Sequence, residues 1–200
     1  MPFNSEQPLS YEALLGMVAD QRGWNPDQAK TVDSFRYNVG NHESINIPTA
    51  RQTTGGPGRG KYQYEIFGDG GSGASTTAVN RLKNYFKRND MDLSLLPETD
   101  REYLFSEDPD FSQVSEGTQD MLFLLDKDEW PNAALGALIS GDIDEATAWA
   151  DWHWGGKDEK ERTTKMKRYN DLMAQRKAKA KAAELQKLTS KPLSGGERII

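Results

Sequence analysis

The chain contains no cysteine, which closes off disulfide staples and thiolate-bound zinc alike. Two histidines leave little material for a histidine-rich metal centre, and no cofactor is expected. No run of about 18 apolar residues occurs, so no membrane-spanning helix is expected. The opening residues have neither the basic region nor the apolar core of an export leader, and none is expected. Chemistry must then come from carboxylates, hydroxyls or a bound oxygen-ligated ion.

What is present is a 200-residue chain of net charge −6, long enough for one domain with a real core and an appendage. The charge is unevenly spread. Residues 1–156 carry 12 Lys and Arg against 25 Asp and Glu, whereas residues 157–200 carry 13 against 6. An acidic body thus bears a basic tail. Nucleic-acid binders usually present a basic folded face, and here only the tail qualifies, so DNA contact ranks behind other partners.

Helical periodicity dominates. A first helix is expected over 9–22 with Ser10 as N-cap, and a second from Asn25-Pro26, whose apolar positions Val32, Phe35 and Val39 recur at spacings of three and four. The next member of that series is Glu43, a carboxylate where a core residue is due. Glycine-framed turns fill 47–74 around a short β-like run at 62–67, too short for a sheet-based core. Helices are expected again over 75–88, 118–129, 131–140 and 143–154, the last capped by Asp142, with an irregular acidic stretch at 90–117. A long Lys/Arg/Ala-rich helix over about 158–188 follows, and its second half has too few large apolar residues to pack deeply. The expected fold is mainly α: a helical domain at 1–156 with a small glycine-rich hairpin layer, and a basic helical segment at 157–200.

The chemical focus is Gly40-Asn41-His42-Glu43-Ser44, followed by Gly58-Arg59-Gly60-Lys61-Tyr62-Gln63-Tyr64-Glu65. Breaking a glycosidic bond needs an acid still protonated near neutral pH, and burial against apolar neighbours raises a carboxyl pKa. A helix-end Glu on the Val32, Phe35, Val39 face suits that task. Spacing alone better fits a plain helix-terminal charge, since helix ends commonly carry charges.

A Glu-Ser pair closing a helix, then a glycine turn and Gly-x-x-Gln, resembles the lytic transglycosylase and goose-type lysozyme superfamily, most closely its bacteriophage lysozyme-like domains. Glu43-Ser44 matches the catalytic Glu-Ser, Gly60-Lys61-Tyr62-Gln63 matches Gly-x-x-Gln, and the likeness spans about 32–82. Lys61-Tyr62 stands where Leu-Met is usual. The resemblance implies an α+β lysozyme-like fold and cleavage of the β-1,4 bond between N-acetylmuramic acid and N-acetylglucosamine in peptidoglycan. Glu43 would be the acid, Ser44 a steadying hydroxyl, and Gln63, Tyr62 and Tyr64 would contact substrate. It further implies a phage particle location, acting on the bacterial wall, with particle or tail proteins held by the basic helix.

Two routes stay open. A hydrolase needs a second carboxylate, about 6.5 to 9.5 Å away when inverting or about 5 to 5.5 Å when retaining. Glu65 is the first choice and Asp69 the reserve, and strand alternation would set Gln63 and Glu65 on one face. A transglycosylase needs none, since the muramoyl 6-hydroxyl attacks internally. Trp149, Trp152, His153 and Trp154 form the densest aromatic cluster; Trp152 or Trp154 would floor a sugar subsite if not core. Two glycine motifs are decoys. Gly55 to Lys61 mimics a phosphate loop but has Tyr62 where Ser or Thr must bind magnesium, and Gly68-x-Gly70-x-x-Gly73 lacks a βαβ sheet around it. The competing class is a non-enzymatic particle protein that keeps a lysozyme-like fold and docks through its basic helix.

Overall fold

A computed structural model describes residues 8–52, 55–128, 134–154 and 159–189. It is mainly helical, with eight α-helices and one two-stranded antiparallel sheet among those residues. Helix α1 (Tyr11–Arg22) is capped by Ser10, whose Oγ accepts the Ala13 N–H, and Gly23 closes it in the left-handed conformation. Helix α2 (Pro26–Ser44) opens with a reciprocal capping box between Asn25 and Gln28, with Pro26 in the first turn. Val32, Phe35 and Val39 are buried along it, as their spacing requires.

After α2 the chain forms a minimal hairpin. Strand β1 (Gly58–Arg59) pairs with β2 (Tyr64–Glu65), Gly58 opposite Glu65 and Arg59 opposite Tyr64. The strand expected over 62–67 is therefore shorter, because residues 60–63 are spent on the turn. Gly60 at φ +75° and Gln63 at φ +53° make that turn, and a Cβ on Gly60 would meet the Gln119 side chain.

Helix α3 (Ala74–Arg88) follows, then α4 (Glu98–Leu104) inside the stretch expected to be irregular, where too few residues were available for a periodicity to show. Helix α5 (Glu116–Asp128) is the centre of the molecule. Met121 to Leu125 are all buried, and the helix packs on α1, α2, α3 and α6 (Ala134–Ser140). A helix segment apolar on every side, as 121–125 is, is one surrounded by others. Helix α7 (Glu145–Trp154) starts on Asp144, which accepts the Thr147 N–H; the expected cap, Asp142, instead receives the Ser140 hydroxyl. Helix α8 (Glu159–Thr189) packs on α7 and α2 through Tyr169, which is fully buried, with Met166 and Met173 one turn to either side. Farther along, Lys177, Lys179 and Lys181 are exposed. No helix among the described residues is long and apolar enough to cross a membrane.

Candidate active site at the end of helix α2

Helix α2 ends with unusual backbone. Ile45 and Asn46 are both left-handed, at φ +58° and +56°, and Ile45 is 77% exposed. A β-branched residue there costs on the order of 1 to 2 kcal/mol, which surrounding bonds must offset. Ser44 supplies them: its hydroxyl lies 2.8 Å from Lys61 O and 3.2 Å from Gly40 O as donor, and accepts the Ile47 N–H at 3.1 Å. The residue expected to steady the acid directly thus ties the hairpin turn to the helix end beside Glu43. Gly40 lets this happen, since a Cβ there would sit 2.6 Å from Asn46 Oδ1 and 2.9 Å from Lys61 Cε.

Glu43 is nearly enclosed, its side chain 12% exposed. Trp149 of α7 donates its indole N–H to Glu43 Oε1 at 2.9 Å, and His42 Nδ1 lies 3.4 Å from the same oxygen. The His42 ring rests against Trp149 at 4.5 Å between centroids and against Tyr169 at 5.5 Å, while Trp149 and Tyr169 stack at 5.4 Å. Glu145 accepts from Asn38 Nδ2 at 2.8 Å and from the Tyr169 hydroxyl at 3.4 Å, pinning α7 and α8 to α2. A cleft of about 720 Å³ opens beside His42, between Asn41 and Ile45 on one side and Arg168, Leu172 and Gln175 of α8 on the other.

The other site residues read from sequence are placed differently. Tyr62 and Tyr64 are core residues, 2% and 5% exposed, and neither ring faces an open cleft. The Tyr62 hydroxyl donates to Asp120, and that of Tyr64 to Asp126 Oδ2 at 3.1 Å. Burial above all, then the neighbouring carboxylates, push both phenols well above their usual range. Gln63 lies in the turn and donates from Nε2 to Gly60 O, so the alternation that would pair it with Glu65 on one face is lost. Glu65 Oε2 accepts the Ser72 N–H at 3.0 Å, and Asp69 pairs with the Arg59 guanidinium. The side chains of Trp152, His153 and Trp154 lie outside the described residues.

Lys61, at the position where the resembled family has Leu, is 1% exposed. Its Nζ contacts Glu116 Oε1 at 2.7 Å and Asp120 Oδ1 at 3.0 Å, and Arg36 Nη1 reaches Asp120 Oδ2 at 2.6 Å. The hairpin is thereby strapped to α5 by charge.

Sequence reasoning passed over His42 as a partner of Glu43, and Tyr169 altogether. A signal for Tyr169 existed: with Met166 and Met173 it forms a three-and-four-spaced apolar stripe in an otherwise basic helix. Among the described residues no group of three His, Asp or Glu is disposed to hold a metal ion. No protein-family model matches the chain, nor does any curated protein or solved structure.

Proposed function

We propose that this protein cleaves the glycan strands of peptidoglycan at the β-1,4 bond between N-acetylmuramic acid and N-acetylglucosamine, with Glu43 as acid and then base. The observation that carries the reading is the setting of Glu43: a carboxyl at a helix end, almost enclosed by aromatic rings, with one oxygen held by the Trp149 indole N–H. An indole N–H only donates, so in the neutral acid it is best satisfied by the carbonyl oxygen. The acid proton is then carried by Oε2, from which it would pass to the leaving-group oxygen. After bond cleavage the same carboxylate takes the proton of the attacking hydroxyl.

The transglycosylase route is favoured over hydrolysis. Glu65 and Asp69, the two helpers a hydrolase would draw on, are engaged with Ser72 N and with Arg59. The muramoyl 6-hydroxyl serves as nucleophile without a second carboxylate. In this reading the cleft beside His42 receives the strand, and the exposed lysines at 177, 179 and 181 face partner proteins of a phage particle.

The same enclosure of Glu43 supports the second reading, a non-enzymatic particle protein with a lysozyme-like fold. Release of soluble fragments from purified sacculi separates the two. The enzyme reading expects release by the parent and a loss of about a hundredfold or more in Glu43→Gln, with the fold intact by circular dichroism. Binding to sacculi without release by either protein would instead establish the adaptor.

A further inference from the structure

A second recess, of about 430 Å³, lies between α1, α2 and α5, and Glu43 is not among the residues around it. Its walls include Tyr11, Arg36, Tyr37, Lys61, Glu116 and Asp120. Arg36 stands seven residues before Glu43, about 10 Å along the helix axis.

Three features define what fits there. First, its cations are already answered: Arg36 by Asp33 and Asp120, and Lys61 by Glu116 and Asp120. The N-termini of α1 and α5 that border it carry Glu12 and Glu116 in their first turns. No positive charge is left over for a phosphate or carboxylate. Second, a hydrogen-bonding group is left over. The Tyr11 hydroxyl is buried and has no hydrogen-bond partner among the described residues, although it sits beside the Arg36–Asp33 pair. Burial holds that phenol above its usual range, so it stays a donor at any physiological pH. Glu116 Oε2 likewise has no partner among the described residues, which leaves a strong acceptor. Third, Tyr37 lines the recess with 53% of its surface exposed, a flat ring open to solvent.

With both cations paired, the recess offers carboxylate acceptors, one orphaned donor and an exposed aromatic, which suits a neutral molecule with many hydroxyls and an apolar ring face. We propose that this recess is a binding site for a neutral sugar unit. The proposal does not rest on catalysis by Glu43.

The test is a titration with tri-N-acetylchitotriose, followed by calorimetry and by amide shifts, on the parent protein, Tyr37→Ala, Tyr11→Phe and Glu43→Gln. Running Glu43→Gln keeps turnover of the probe from confusing the signal. Expected are saturable shifts around Tyr11, Tyr37 and Glu116, weakened about tenfold by Tyr37→Ala and about fivefold by Tyr11→Phe, and still saturating at these three residues in Glu43→Gln. Tyr37 is half exposed, so its removal leaves the core intact. Absence of saturable binding, binding indifferent to both tyrosine variants, or shifts at these residues with inorganic phosphate in place of the sugar would each overturn it. A sugar that binds here in a protein releasing nothing from sacculi would leave this site standing while the enzyme reading fell.

Discussion

The two ends of the hairpin's attachment differ in kind. On the α5 side, carboxylates meet cations and phenols: Asp120 faces Lys61, Arg36 and the Tyr62 hydroxyl, and Asp126 faces Arg81 and the Tyr64 hydroxyl. At the end of α2, Glu43 is met by an indole N–H and, at 3.4 Å, an imidazole nitrogen. A buried carboxylate between two cations serves to hold elements together. One set among rings and met by an indole N–H is suited to passing a proton. The difference separates the structural acids of this chain from its chemical candidate better than burial does, since all three side chains are largely enclosed.

The comparison can be broken from either side. The largest effect on stability is expected from Asp120→Ala, which leaves Arg36 and Lys61 short of a shared partner in the interior. Urea unfolding should show a loss of about 3 kcal/mol, and a loss well under 1 kcal/mol would mean that the network holds nothing together. Alkaline pH probes the same side more gently. Tyr11, Tyr62 and Tyr64 have folded pKa values raised above the ordinary phenol value by burial. Their contribution is therefore complete below about pH 10 and drains away as pH rises towards the folded values. The urea midpoint should fall as pH rises above about 10, with the phenolate absorbance of these three tyrosines appearing only as the protein unfolds. The smallest effect belongs to the α2 end. Trp149→Phe keeps a ring but removes the N–H, and should cost about 1 kcal/mol in stability while moving the pH profile of glycan cleavage. An unchanged profile would show that the indole does not orient the acid.

Much of the frame was legible in the residues. Ser10, Asn25 and Pro26 announced the starts of α1 and α2, and the Val32, Phe35, Val39 stripe pointed Glu43 inward. Local chemistry sets caps and periodicity, so sequence carries them. The site's surroundings were less legible because they depend on distant pairings. Tyr62 and Tyr64 looked like cleft residues, but Asp120 and Asp126, each about sixty residues on, supply partners that let the rings be buried. Glu65 and Asp69 looked like free carboxylates until the glycine loop folded back to bring Ser72 N and Arg59 to them. Gln63 changed place for a local reason: the turn took four residues from a short strand. The basic segment, set apart on charge, contributes Tyr169 to the wall around His42, which charge counting has no means to show.

The most direct test of Glu43 as the lone catalytic carboxylate is mass spectrometry of purified peptidoglycan after digestion by the parent, Glu43→Gln and Glu65→Gln proteins. The account predicts anhydromuropeptides from the parent and from Glu65→Gln, and none from Glu43→Gln. Products with reducing ends that vanish in Glu65→Gln, or fragments that persist in Glu43→Gln, would contradict it.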